Sequence, residues 1–156
     1  MSKFLIDKKY TNKDKFIIKG MSNGGLTVLV AMLKNPELYK AVIGISPFID
    51  ILKDYDRNYR IKKEYGDREH ILEWSPLNSK LVNKKYPDLL LIVNLKDTTV
   101  YPYNGLSFTK NVEYRMNVYL LVNKDKMHNP AYLKSSSFID SMNINTFIYD
   151  KLNLLE

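Results

Sequence analysis

Four short runs of this sequence are apolar almost without alternation, and they limit what the chain can fold into. They are Phe16-Ile17-Ile18-Lys19, Ala41-Val42-Ile43-Gly44-Ile45, Asp88-Leu89-Leu90-Leu91-Ile92-Val93-Asn94, and Val118 to Val122. A strand with one wet face alternates apolar and polar residues, whereas a continuous run belongs to a strand covered on both faces. Helical candidates lie between the runs, at Gly24 to Lys34 and Tyr103 to Val112. A closing helix is predicted over Tyr132 to Leu152, with Phe138, Met142, Ile144, Phe147, Ile148 and Leu152 at roughly helical spacing. Asn35-Pro36 stops the first helix, because proline disfavours helix in the residue before it. Asp50 to Ser79 reads as charged and irregular. The pattern predicts an α/β domain of about four parallel strands with flanking helices. At 156 residues the chain fits one domain with a real core.

Composition removes several kinds of chemistry. No cysteine is present, so disulfides, thiolate nucleophiles and Cys-ligated zinc are excluded. With two histidines there is little material for a metal site, and neither a metal nor a cofactor is expected. The charge of +7 comes from lysines spread along the whole chain. No aromatic–basic interleaving accompanies it, so no nucleic-acid partner is expected. The apolar cluster Phe4-Leu5-Ile6 is too short for a signal-peptide core. The stretch Leu26 to Leu33 is far below the ~18 residues of a membrane span. A soluble cytoplasmic protein without a membrane partner is the expectation.

In parallel sheets the functional residues gather at the carboxyl ends of the strands. The first strand ends in Gly20-Met21-Ser22-Asn23-Gly24-Gly25, directly before a helix. This is G-x-S-x-G in a strand–turn–helix setting, in which a tight turn lifts the serine hydroxyl clear of the sheet edge. Side chains two residues to either side of Ser22 are expected to collide, so glycine is expected to be required at both Gly20 and Gly24. The Asn23 backbone N–H, at the helix start, can face a developing oxyanion. A serine nucleophile needs a base, and the base needs an orienting carboxylate. Asp97 lies just past the end of the third strand, and His128 lies in the loop after the fourth. The order Ser22, Asp97, His128 is that of α/β-hydrolases. His70 precedes the late-strand aspartate and reads as a surface histidine. Asp88 stands at the start of its strand, the wrong end of the sheet.

Longer segments carry a resemblance. Tyr10-Thr11 leads into the first strand, and Gly20 to Gly25 forms a G-x-S-N-G-G elbow. Asn35-Pro36-Glu37-Leu38-Tyr39-Lys40-Ala41-Val42-Ile43 and Pro47-Phe48-Ile49-Asp50-Ile51-Leu52 follow. Glu64-Tyr65-Gly66-Asp67, Trp74-Ser75-Pro76-Leu77-Asn78, Tyr86-Pro87, Asp97 and Val100-Tyr101-Pro102 complete the series. Together they resemble the catalytic domain of the prolyl oligopeptidase family of serine peptidases, from about Leu5 to Tyr149. The resemblance implies that Ser22 attacks a peptide carbonyl, that His128 serves as base and then acid, and that Asp97 holds the imidazole. It implies short peptide substrates, cut after proline or after basic residues. Tyr65 and Phe48 would border the pocket for the residue before the cut.

The chain also departs from that family. The place of a substrate-binding arginine two residues after the aspartate holds Thr99, and the glycine-flanked histidine becomes Met127-His128-Asn129. The resemblance implies that residues 1–156 form a partial catalytic domain. It is the C-terminal half of an α/β-hydrolase sheet, lacking the β-propeller, the first strands and a tyrosine hydroxyl that gives the second oxyanion donor. Its first strand would then be an open edge. Three outcomes are consistent with that. A separate chain supplies the other half, the chain dimerises through the edge, or it is poorly folded; an inactive truncated remnant of such a peptidase is the rival reading of its function. A non-catalytic binding module is the reading from a different class.

Overall fold

The structure is a computed structural model that describes residues 1–53, 55, 59–128 and 134–154. The four apolar runs become β1 (Ile17–Met21), β2 (Ala41–Ile45), β3 (Asp88–Asn94) and β4 (Val118–Asn123). They form one sheet in the order β1-β2-β3-β4, every neighbouring pair parallel. The register sets Gly20 beside Gly44, Gly44 beside Leu91, and Leu91 beside Leu120. The helices are α1 (Ser2–Asp7), α2 (Asn23–Lys34), α3 (Tyr59–Tyr65), α4 (Arg68–Leu72), α5 (Pro102–Val112) and α6 (Lys134–Lys151).

Successive side chains of a strand point to opposite faces, and the central strands divide their apolar residues accordingly. Val42, Leu89, Leu91 and Val93 pack on one face with Leu29 and Met32 of α2 and Phe108 and Val112 of α5. Ala41, Ile43, Leu90 and Ile92 pack on the other with Ile144 and Phe147 of α6. The strands step across the sheet in one direction, so right-handed crossovers put α2 and α5 on the same side. After β4 no strand follows, and α6 runs back beneath the opposite face. A third cluster, Leu26, Ile51 and Ile71, seats the β2–β3 connection against α2.

Three expectations need correction. The segment from Asp50 to Ser79 is less irregular than it reads: α3, α4 and a 3₁₀ turn at Pro76–Asn78 lie within it. The Asp67 side chain caps α4 by accepting the His70 N–H, which is how so short a charged helix is held. The closing helix is described from Lys134; the expected start at Tyr132 lies outside the described residues. Its spacing also overstated its core: Ile144 and Phe147 are buried, but Phe138 and Met142 are exposed. Finally, the apolar run Val118 to Val122 is not covered on both faces: β4 is an edge strand in which no residue is fully buried and Tyr119, Leu120 and Val122 are exposed. Among the described residues no helix is long and apolar enough to cross a membrane.

Candidate active site

The elbow after β1 is built by close approach. Ser22 takes φ +54°, ψ −118°, a left-handed conformation that costs a non-glycine residue about 1–3 kcal/mol. Bonds to the neighbouring strand end hold it there. The Ser22 N–H donates to the Ile45 carbonyl at 2.9 Å, and the Ser22 carbonyl accepts from Phe48 N–H at 3.2 Å and Leu26 N–H at 3.1 Å. A Cβ at Gly20 would lie 2.1 Å from the Gly24 carbonyl oxygen, so glycine is obligatory there. A Cβ at Gly24 would meet nothing within 4 Å. The expectation of collision on both sides of Ser22 therefore fails at Gly24. The tight position on the helix side is Gly25, whose Cβ would lie 2.6 Å from Pro47 Cβ.

The three residues expected to act together meet at the carboxyl ends of β1, β3 and β4. Ser22 Oγ is 2.9 Å from His128 Nε2, and His128 Nδ1 is 2.8 Å from Asp97 Oδ2. An ionised carboxylate only accepts hydrogen bonds, so Nδ1 carries the proton and Nε2 presents its lone pair to the Ser22 hydroxyl. The Asp97 side chain is fully buried, whereas that of His128 is 21% exposed on the open side of the rim. The other oxygen of Asp97 accepts the N–H groups of Thr99 (2.9 Å) and Val100 (2.8 Å), which fixes the carboxylate plane. These two donors come from the backbone, and the side-chain pattern of the sequence gave no sign of them. Asn23 is the first residue of α2, where helix geometry leaves the backbone N–H without an intrahelical partner. Its side chain is engaged elsewhere, accepting from Tyr65 Oη at 2.9 Å and donating to Glu64 at 3.3 Å. Burial first, and then the adjacent Glu64 charge, push the Tyr65 hydroxyl above its ordinary pKa, so it stays a donor.

The competing candidates sit elsewhere. His70 is exposed on α4 and lies 3.7 Å from Glu73. Asp88, at the amino end of β3, pairs with Lys151 at 2.9 Å and accepts from Asn117 at 2.9 Å. A cleft of about 700 Å³ opens at that amino-end rim, lined by Lys13, Lys40, Lys84, Lys85 and Tyr86 among others, and none of Ser22, Asp97 and His128 borders it. Among the described residues no group of three His, Cys, Asp or Glu could hold a metal ion.

Sequence reasoning passed over a polar layer under this rim. The last residue of β3, Asn94, the last residue of β4, Asn123, and Ser46 just after β2 are linked by side-chain hydrogen bonds. The signal available was a polar residue closing each apolar run.

Comparison with known proteins identifies the family. The model of the prolyl oligopeptidase family matches residues 1–153. An uncharacterised peptidase of Rickettsia prowazekii is 32% identical over 99% of this chain and 23% of its own length. A prolyl endopeptidase of Dictyostelium discoideum is 25% identical over 81% of this chain and 19% of its own. The solved structure of a post-proline cleaving enzyme from Rickettsia typhi superposes with a TM-score of 0.83 at 32% identity, covering 98% of this chain and 24% of that one. The chain thus spans about a quarter of the length of these relatives. On the match of its whole length, its α/β-hydrolase sheet and its serine elbow, the chain belongs to the prolyl oligopeptidase family.

Proposed function

We propose that residues 1–156 are the C-terminal part of a serine-type oligopeptidase catalytic domain, with Ser22, His128 and Asp97 as its triad. The observation that carries this reading is the unbroken line of hydrogen bonds from Ser22 Oγ through His128 to the buried Asp97. In the reaction, Ser22 Oγ bonds to the carbonyl carbon of a peptide while its proton passes to His128 Nε2. The Asn23 N–H takes the oxyanion. His128 then gives the proton to the departing amine as the C–N bond breaks, and water, deprotonated by the same imidazole, releases the acyl group. Asp97 stays ionised and stabilises the imidazolium. No cofactor enters these steps.

Short peptides are the substrate class, a reading supported by relatives that include a post-proline cleaving enzyme. By the family resemblance Tyr65 and Phe48 are assigned to the pocket for the residue before the cut, and Thr99 stands where a substrate-binding arginine is expected. Full turnover needs more polypeptide than these residues. Among the described residues β1 pairs only with β2, and its Lys19 and Met21 are exposed. A second oxyanion donor supplied by that additional half is worth ~10²–10³ in turnover. The half comes from further polypeptide of the same domain, from a separate chain, or from a second copy at the edge.

The same open edge favours one rival, an inactive remnant. Fluorogenic peptides with proline or arginine before the scissile bond separate the two readings. Cleavage that disappears in Ser22→Ala supports the peptidase. A cooperatively melting chain that cuts neither peptide, even when mixed with the N-terminal portion of a related family member, supports the remnant.

A further inference from the structure

The loop that carries His128 lacks the flanking glycines of its family, and in this chain it is held by side chains beneath it. Asn94 ends the central strand and is 3% exposed. Its amide nitrogen donates to Ser46 Oγ at 3.1 Å and to the Met127 carbonyl at 3.0 Å. Its oxygen accepts from Asn123 Nδ2 at 2.9 Å. Asn123 Nδ2 also reaches Asp140 Oδ1 on α6 at 3.3 Å, and the other Asp140 oxygen lies 2.6 Å from Lys126 Nζ. The Lys126 carbonyl accepts the Lys96 N–H at 3.1 Å, one residue before Asp97. Lys126, Met127 and His128 are therefore pinned to residues at the ends of two strands, β1 and β3, and to α6. For Met127, whose side chain is 65% exposed, the pin is the carbonyl bond to Asn94.

The geometry points to Asn94 as a positioning residue for His128. It fixes the peptide unit immediately before the imidazole, while Asn123, Asp140 and Lys126 hold the loop from behind. Asn94 touches neither substrate nor the reacting atoms. Every polar atom of its amide is used, and a buried partner left unpaired costs about 1–3 kcal/mol. Without Asn94 the Met127 carbonyl must turn toward water, and that rotation swings His128 away from Ser22. A displacement of about 1 Å is enough to cost ~10²-fold in rate. The inference rests on reading His128 as the general base, so its test includes a readout that needs no catalysis.

That readout is the His128 ring in ¹H–¹⁵N NMR, where an Nδ1 proton held by Asp97 exchanges slowly and Asp97→Asn assigns it. In Asn94→Ala the signal is expected to broaden or vanish in a protein that still melts cooperatively. Labelling of Ser22 by a fluorophosphonate, per folded molecule, is expected to slow ~10–100-fold. Asp140→Asn keeps an acceptor for Asn123 but removes the charge facing Lys126. It lies at the rim of the fold, and slowing of a few-fold with partial broadening is expected. A ring signal that depends on Asn94 in a wild-type chain that never labels leaves the positioning role standing and removes the peptidase reading. Wild-type signal and labelling in folded Asn94→Ala would overturn the positioning role, as would the absence of any held Nδ1 proton in the wild type. Should Asn94→Ala fail to fold, an unchanged signal in Asp140→Asn overturns it as well.

Discussion

β1 and β3 each deliver one of the three proposed catalytic residues, yet their surroundings differ. β3 is paired on both sides, and Leu89 to Asn94 are all buried. β1 is paired only with β2, and among its residues none is fully buried. Asp97 thus follows a strand paired on both sides, whereas Ser22 follows an edge strand, as His128 does after β4. What steadies Ser22 is local: the N–H bond to Ile45, the carbonyl bonds to Phe48 and Leu26, and the close packing of Gly20 on the first turn of α2. A nucleophile can be held in a strained conformation by an elbow even where the sheet beside it is open.

Substitutions at the two strands break or sharpen this contrast. The largest effect belongs to chemistry. Asp97→Asn keeps the shape but removes the acceptor that fixes the His128 tautomer, and reaction at Ser22 is expected to fall by ~10⁴. Labelling kinetics with a fluorophosphonate measure it. Next comes packing. Leu91→Ala at the centre of β3 is expected to cost ~2–5 kcal/mol and Ile17→Ala on β1 only ~1 kcal/mol, as read by urea denaturation. Equal losses would mean that β1 is as well supported as β3.

Within the elbow, Gly20→Ala drives a Cβ into the Gly24 carbonyl, and a loss of ~1–3 kcal/mol is expected. Gly24→Ala meets open space in the first turn of α2 and should be neutral or stabilising by up to ~1 kcal/mol. Thermal melts of the two variants decide it. The smallest effect lies at the far end of β3. Burial pulls the Lys151 pKa down, but bonds to Tyr119 (2.7 Å), Asp88 and Asp150 prevail and hold it above the ordinary lysine value. A raised folded pKa stabilises fully below the unfolded value of ~10.4 and fades only as pH rises through the folded one. Lys151→Met is therefore expected to lose ~1 kcal/mol, constant from neutral pH to about pH 10 and shrinking above it. Denaturant melts across that range follow it.

Much of this was legible in the sequence. Continuous apolar runs marked the four parallel strands, but only β2 and β3 are buried on both faces, where burial removes alternation; β1 and β4 are edge strands with no fully buried residue. The order of Ser22, Asp97 and His128 at strand ends marked the candidate site, and the three side chains meet because parallel strands bring their carboxyl ends to one rim. Other features depend on contacts that spacing does not encode. Phe138 and Met142 repeat with the core residues of α6, but the sheet beneath that helix reaches only as far as Ile144 and Phe147. Gly24 reads as a required glycine, yet the space beside it depends on where Pro47 falls, and Pro47 falls against Gly25. The network of Asn94, Asn123 and Asp140 joins residues from β3, β4 and α6, and only the folded register sets their two amides and one carboxylate within hydrogen-bond reach.

The central claim is that Ser22 is made nucleophilic by His128 and Asp97. Its most direct test is reaction of the purified chain with a fluorophosphonate, followed by mass spectrometry of the modified peptide. A single adduct on Ser22, absent from Ser22→Ala and strongly reduced in Asp97→Asn, is the expected result. A cooperatively folded chain that stays unmodified, or that reacts at another residue while Ser22 remains free, would contradict it.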